Sequence, residues 1–176
     1  MPEQDQLYKD AISSHGSALD RLARAYESGP EDRRDLLQEI HIALWRSFSG
    51  FDSRCSLRTW VYRVAHNAAA SHILRSKRRS QSLVSIEEIA SEGEIDKIAT
   101  SEDAAHTLAR SQALDRLYAL IQRLNPIDRQ IILLYLEDVD ATTIGEVLGI
   151  SPGYVATKIH RIKKLLAERF WKGGNS

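Results

Sequence analysis

Cysteine is almost missing from this chain: Cys55 is the only one in 176 residues. A lone thiol closes no internal disulfide and builds no cysteine-based zinc site, so a reducing cytosol is the expected setting. Proline numbers four and glycine nine. So few breakers, among many Ala, Leu, Ile and Arg, favour an all-α fold. No apolar run reaches the roughly 18 residues that a membrane helix needs. The opening "MPEQDQLYKD" is polar and acidic, and lacks the basic and apolar parts of a signal peptide. The six histidines are scattered, with no His-x-x-x-His and no carboxylate cluster at metal spacing. With no glycine-rich phosphate loop either, no catalytic residue, metal or cofactor is expected.

Net charge is missing too, since Lys+Arg and Asp+Glu both number 24. Taken globally that argues against a nucleic-acid binder, but the distribution does not. From Ser53 to Ser80 lie Arg54, Arg58, Arg63, Arg75, Lys77, Arg78 and Arg79, with no acid. From Gln81 to Ala105 lie Glu87, Glu88, Glu92, Glu94, Asp96, Glu102 and Asp103, against Lys97 alone. From Pro152 to Lys172 lie Lys158, Arg161, Lys163, Lys164, Arg169 and Lys172, against Glu168. Neutrality is a cancellation between two basic segments and the acidic one between them.

Helical spacing runs through most of the chain. Leu7, Ile12, Leu19, Leu22, Ala23 and Tyr26 predict a helix over residues 7–29. "SGPEDRRD" ends it and starts another, with Pro30 near the first turn and Glu31 and Asp32 at the positive end. Leu36, Leu37, Ile40, Ala43, Leu44 and Phe48 mark the inner side of this second helix. "SGFDSRCS" reads as a loop, with Ser56 as N-cap of a third helix from Leu57 to about Arg75. Its expected buried side is Val61, Val64, Ala65, Ala68 and Ile73. Residues 81–110 form an acidic linker, flexible by composition, with a short helix expected around Ile86 to Ala90. A second unit starts near Ser111 with the stripe Leu114, Leu117, Leu120, Ile121 and Leu124, stopped by Asn125-Pro126. Asp128 to Glu137 forms the next helix. The architecture expected is two small helical domains, residues 1–80 and 111–172, joined by that linker.

The stretch "TTIGEVLGISPGYVATKIHRIKKLL" carries the sharpest signal. Gly149 sits where a helix stop with positive φ is wanted, Ser151 is a good N-cap, and Pro152 fits the first helical position. Val155, Ile159, Ile162 and Leu166 then form one buried stripe. Opposite it lie Gly153, Tyr154, Thr157, Lys158, Arg161 and Lys164. A helix, a tight glycine turn and a second helix with a polar, basic outer face make a helix-turn-helix, whose second helix can enter the major groove of DNA. A solvated basic surface is the competing reading of the charges alone.

Two longer segments resemble the extracytoplasmic-function (group IV) sigma factors of bacterial RNA polymerase. "DLLQEIHIALWRSFSGFDSRCSLRTWVYRVAHNAAASHILRSKRR" resembles sigma region 2, and "LIQRLNPIDRQIILLYLEDVDATTIGEVLGISPGYVATKIHRIKKLL" resembles sigma region 4. The resemblance implies that region 2 meets the clamp helices of the largest polymerase subunit and the −10 promoter element. Region 4 meets the β-flap and the −35 element. Asp35, Gln38 and Glu39 then face the clamp. Asp52, Ser53, Arg54 and Ser56 line a loop that holds a flipped-out base, followed by Arg58, Trp60, Arg63, His66 and Asn67 as further −10 contacts. Gly153, Tyr154, Thr157, Lys158, Arg161 and Lys164 meet the −35 duplex. Core RNA polymerase, promoter DNA and an anti-sigma factor are the implied partners. The chain is expected in the bacterial cytoplasm, with no insertion into the membrane, where an anti-sigma factor can hold it.

Some positions depart from the family. Tyr154 stands where a small residue is common and Ala156 where a basic one is. Ala141 and Gly145 replace an aromatic and an alanine, and Gly145 is expected to cost the helix about 1 kcal/mol relative to Ala. Two other functions compete with a promoter-recognition subunit. One is a stand-alone helix-turn-helix regulator, which needs no polymerase to hold duplex DNA. The other is a sigma-like decoy for an anti-sigma protein, which has no use for the basic faces.

Overall fold

The computed structural model describes residues 2–82 and 102–174, and within them every regular element is a helix. Helices α1 (Pro2–Tyr26), α2 (Pro30–Ser47) and α3 (Leu57–Ser82) pack together as a first unit. A 3₁₀ turn, Phe48–Gly50, leads from α2 into the loop before α3. Helices α4 (Glu102–Gln122), α5 (Pro126–Leu136), α6 (Ala141–Leu148) and α7 (Pro152–Gly174) make the second unit.

Local chemistry sets the boundaries. Pro30 opens α2, with Glu31 and Asp32 against its positive end. The Ser56 hydroxyl accepts the Thr59 backbone N–H at 3.1 Å, so it caps α3. Asn125 caps α5 by accepting from Asp128 N, and Pro126 follows it. Asp140 caps α6 by accepting from Thr143 N at 2.7 Å, and these hydrogen bonds hold its carboxyl below the usual range.

The core follows the expected stripes with informative shifts. Leu19, Leu22, Leu36, Ile40, Leu44 and Phe48 fill the first unit. On α3 the buried set is Thr59, Val61, Tyr62, Ala65, His66 and Ala69, while Val64, Ala68 and Ile73 are only partly buried. The stripe is rotated from its expected place because the second unit packs on the Tyr62–His66 side. On α4, Leu114 is 45% exposed, whereas Ile121 and Leu124 are buried.

Three helices differ in extent from the sequence reading, and α3 runs on to Ser82, past its expected end near Arg75. Helix α1 extends from Pro2 to Tyr26, earlier at both ends than residues 7–29. Helix α4 takes in residues 102–110, which composition had placed in the acidic linker. The rest of that linker, 83–101, lies outside the described residues, as does the short helix expected near Ile86.

The two units meet along a seam of α1 and α3 against α4, α5 and α6. Leu22, Tyr62, Leu117, Ile121 and Leu133 line a partly enclosed cavity there of about 180 Å³. Arg21 donates from Nε and Nη2 to the two carboxylate oxygens of Glu137, at 2.6 and 2.7 Å. This fork is the strong geometry for a charged pair, and the bond to Glu137 raises the Arg21 pKa. Arg24 pairs with Asp115 and lies 4.5 Å over the Tyr118 ring. Tyr26 is buried beneath Arg129, 5.1 Å from its ring, and burial pushes the Tyr26 hydroxyl up to about 12.

Candidate nucleic-acid interface

The helix-turn-helix is built as its sequence pattern predicts. Gly149 has φ 72° and ψ 35°, the left-handed stop. Its N–H and that of Ile150 both reach the Gly145 carbonyl, at 2.8 and 3.1 Å. Ser151 Oγ accepts from Tyr154 N at 3.2 Å and restarts the chain as α7. Val155, Ile162 and Leu166 are buried, which turns the opposite face outward.

That outer face holds Gly153, Tyr154, Thr157, Arg161 and Lys164, all exposed. A Cβ on Gly153 would meet nothing within 4 Å, so the helix tip is open to close approach. Tyr154 presents its ring with 45% of the residue exposed. The Thr157 hydroxyl bonds back to the Gly153 carbonyl at 3.1 Å. Lys158 is placed differently from its neighbours. Its ammonium lies 3.0 Å from Asp128 of α5 and 5.6 Å from the Tyr154 ring centre, and Asp128 raises its pKa. Lys158 reaches a phosphate only by leaving that carboxylate.

The loop before α3 is partly self-satisfied. Asp52 accepts the Arg54 backbone N–H at 3.2 Å and pairs with the Arg54 guanidinium at 2.9 Å. Ser53 takes φ 60° to make the turn. Phe51 packs edge-on against Trp60, with ring centres 5.3 Å apart, and against Phe48 at 6.4 Å. The exposed rim is therefore Asp52, Ser53 and Arg54, on an aromatic base.

Along α3 the expected −10 residues separate into distinct environments. Trp60 is half-buried and donates from Nε1 to Ser47 Oγ at 2.9 Å, so it braces the loop against α2. Arg58 donates to the Glu137 carbonyl, and Arg63 donates to the Glu146 carbonyl at 3.0 Å. Both guanidinia are held by the second unit. Asn67 is exposed and opens onto a groove between α2 and α3, beside Glu39, Arg46 and Arg75.

His66 requires correction as a DNA contact. It is 2% exposed, edge-on to Tyr26 with ring centres 6.5 Å apart. Burial among apolar groups lowers its pKa to about 3, so the ring is neutral. Spacing of three put it beside Arg63, but only the packed second unit reveals that this side of α3 is inside. Ser56 is likewise engaged as the α3 cap, with its hydroxyl 3.0 Å from Thr59 Oγ1.

On α2, Asp35 and Gln38 are exposed as expected. Glu39 is tied to Arg75 and lies 3.2 Å from His72 Nδ1. The structure adds two residues that the sequence reading missed. Ile42 is 51% and Trp45 43% exposed, and they continue the Asp35–Gln38 face at helical spacing. The available signal was that α2 carries more apolar residues than one buried stripe can use.

Comparisons with known proteins bear on both units at once. Residues 11–79 match the family model for sigma-70 region 2, and residues 114–166 match that for sigma-70, region 4. The ECF RNA polymerase sigma factor SigF of Caulobacter vibrioides is 31% identical over 164 residues, covering 92% of this chain and 84% of that protein. The chain belongs to the ECF sigma factors. The ECF RNA polymerase sigma factor SigW of Bacillus subtilis is 23% identical over 176 residues, covering 95% of this chain and 90% of that protein. Among solved structures, the sigma factor RpoE in complex with the anti-sigma factor NepR from Bartonella quintana matches with a TM-score of 0.68 at 18% identity. It covers 94% of this chain and 96% of that one. CnrH in complex with the cytosolic domain of CnrY matches with a TM-score of 0.62 at 19% identity, over 96% of this chain and 89% of that one. The first unit is thus region 2 and the second region 4.

Proposed function

We propose that this ECF sigma factor binds core RNA polymerase, reads promoter DNA through both regions, and supports strand opening at initiation. The observation that carries the reading is the pairing of two surfaces in one chain. Region 4 presents a helix-turn-helix whose outer face is polar and basic, while region 2 presents an aromatic-based loop with hydrogen-bonding groups on its rim. In this reading Tyr154 and Thr157 stand at the helix tip where base edges are read, and Arg161 and Lys164 lie farther along toward phosphate. Asp52, Ser53 and Arg54 receive a −10 base, with Arg58, Arg63 and Asn67 along the strand. A captured base offsets the few kcal/mol of its unstacking, so the sigma factor itself needs no nucleotide hydrolysis.

The exposed α2 face of Asp35, Gln38, Ile42 and Trp45 is assigned to the polymerase. A polar rim around two exposed apolar residues is the composition of a protein-binding patch rather than a solvated helix side. Region 4 holds the β-flap contact in the same scheme, and an anti-sigma factor is the expected regulator, as both solved relatives above are sigma factors in complexes. The domain limits belonging to this reading are 1–80 for region 2 and 111–172 for region 4, in keeping with the matched stretches 11–79 and 114–166. Among the described residues no helix is long and apolar enough to cross a membrane, and no group of three or more His, Cys, Asp or Glu could hold a metal ion. The reading is tested by adding core polymerase and promoter duplex separately and together. Promoter retention that requires both sigma factor and core supports it, and tight duplex binding by the free chain favours a stand-alone regulator.

A further inference from the structure

The cavity between the two units has no part in the contacts with DNA or polymerase described above. It holds about 180 Å³ and is walled by Leu22 of α1, Leu117 and Ile121 of α4, and Leu133 of α5. Leu114 and Leu136 line it too and are half-exposed, so they form an apolar mouth that opens to solvent. One ring interrupts these apolar walls. His66 lines the cavity from α3 and is almost fully buried. Its Nδ1 is buried and meets no hydrogen-bond partner in the protein. Buried polar atoms in folded proteins are nearly always paired, so this orphan calls for an explanation. Burial lowers the pKa of the ring and leaves it neutral, with one donor and one acceptor to offer. The other polar groups at the cavity edge are engaged. Arg21 and Glu137 hold each other in their fork, Tyr62 lies under the Arg58 guanidinium, and Tyr118 lies under that of Arg24.

Size, polarity and charge define what fits this space. An apolar cavity of about 150 Å³ accepts a benzene-sized molecule. Water is a poor filler, because each molecule wants two to four polar partners and the walls supply one free ring. A charged ligand would lose its hydration with no opposite charge free to meet it. We propose that the cavity is a binding site for a small neutral aromatic alcohol, the size of phenol or cresol, whose ring packs among the leucines and whose hydroxyl hydrogen-bonds to His66. Its apolar ring enters past Leu114 and Leu136, and its hydroxyl supplies the partner that His66 lacks. Once seated, the ligand touches α1 and α3 of region 2 together with α4 and α5 of region 4. The site is separate from the outer face of α7 and from the rim of the loop before α3, so it depends on neither as a DNA contact.

The test uses the full free chain with phenol, toluene and benzoate as probes. Calorimetric titration gives affinity and stoichiometry, and nuclear Overhauser contacts give the place. Phenol is expected to saturate one site per chain, to raise the melting temperature, and to show contacts with the Tyr62 and Tyr118 rings and with leucine methyls. Toluene lacks the hydroxyl and should bind roughly fivefold more weakly, the usual worth of one net hydrogen bond. Benzoate should not bind. His66→Phe keeps a ring in place but removes the nitrogens, so phenol and toluene should then bind alike. Ala18→Leu pushes a larger side chain into the cavity from α1 and should abolish phenol binding. Circular dichroism shows whether each variant folds, and the probe ranking and contacts on the wild type decide the matter without either. Absence of saturable phenol binding to the wild type overturns the site. So do contacts confined to other residues, and toluene or benzoate binding as tightly as phenol. A folded Ala18→Leu that still binds phenol, or a folded His66→Phe that still prefers phenol to toluene, overturns it as well. Neither DNA nor polymerase is present in these measurements, so the promoter reading stands or falls separately.

Discussion

A Cβ placed on Gly145 would lie 2.6 Å from the carbonyl oxygen of Ile150. That oxygen is backbone in the tight turn between the two helices of the helix-turn-helix, so it cannot swing away. From sequence, Gly145 is a helix residue that alanine should improve by about 1 kcal/mol. The structure reverses the sign. Gly145→Ala should destabilise region 4, because relieving such an overlap costs about 1–3 kcal/mol. Chemical denaturation followed by circular dichroism checks it, and an unchanged or raised midpoint would contradict the close approach.

The recognition helix separates its cations. Arg161→Ala should weaken promoter binding by the holoenzyme and lower the salt slope by about one for the lost phosphate contact. Lys158→Ala should do less, because Lys158 begins paired with Asp128. Asp128→Asn releases that ammonium, and should raise affinity and steepen the salt dependence. Tyr154→Ala should change which −35 sequences are preferred, since the ring stands at the helix tip. A −35 library screened at two salt concentrations measures all four.

His66 makes folding stability depend on pH. Its pKa is about 3 in the folded chain because burial disfavours the charged ring, against about 6.5 unfolded. Between these values the unfolded state binds the extra proton. The stability is therefore fully present above pH 6.5 and falls by about 1.4 kcal/mol per pH unit below it. Groups facing the same space are Tyr26 from α1, Tyr118 from α4, and Arg21 and Glu137 at the cavity edge. Urea midpoints at pH 7.5 and 5.5 should drop strongly for wild type and much less for His66→Phe. Equal losses would place the proton uptake elsewhere.

The α2 face should bind core polymerase through its apolar residues as well as its acid. Ile42→Ala, which truncates an apolar contact, and Asp35→Arg, which reverses a charge, are each expected to weaken core binding by about tenfold, as for the minority of interface residues that carry most of the binding energy. Glu39 is a poorer probe, because its reversal also breaks the pairing with Arg75 and His72. Titration of fluorescent core with each variant reads the loss, and unchanged affinity in both removes this face from the interface.

Local chemistry was legible and inter-unit chemistry was not. The caps at Ser56 and Ser151, the stop at Gly149 and the stripe Val155, Ile162 and Leu166 are all fixed by neighbours within a turn or two. Sequence spacing carries that information directly. The fates of Arg58, Arg63 and His66 depend on partners far along the chain, such as Glu137 and Glu146. Periodicity gives the angle of a side chain around its helix, but not which flank a second domain covers. The Arg75–Glu39 pair and the Lys158–Asp128 pair escaped for the same reason. The exposed Ile42 and Trp45 escaped for another: apolar residues were assigned inward, although a binding face also needs them.

The central claim is that this chain lends promoter recognition to RNA polymerase. Transcription in vitro from a promoter library, with purified core polymerase and purified sigma factor, tests it most directly. The account predicts transcripts that begin only when the sigma factor is added, from a subset of templates sharing two elements at fixed spacing, and reduced with Arg161→Ala. Transcription no higher than with core alone, from a chain that still binds promoter duplex by itself, would contradict it.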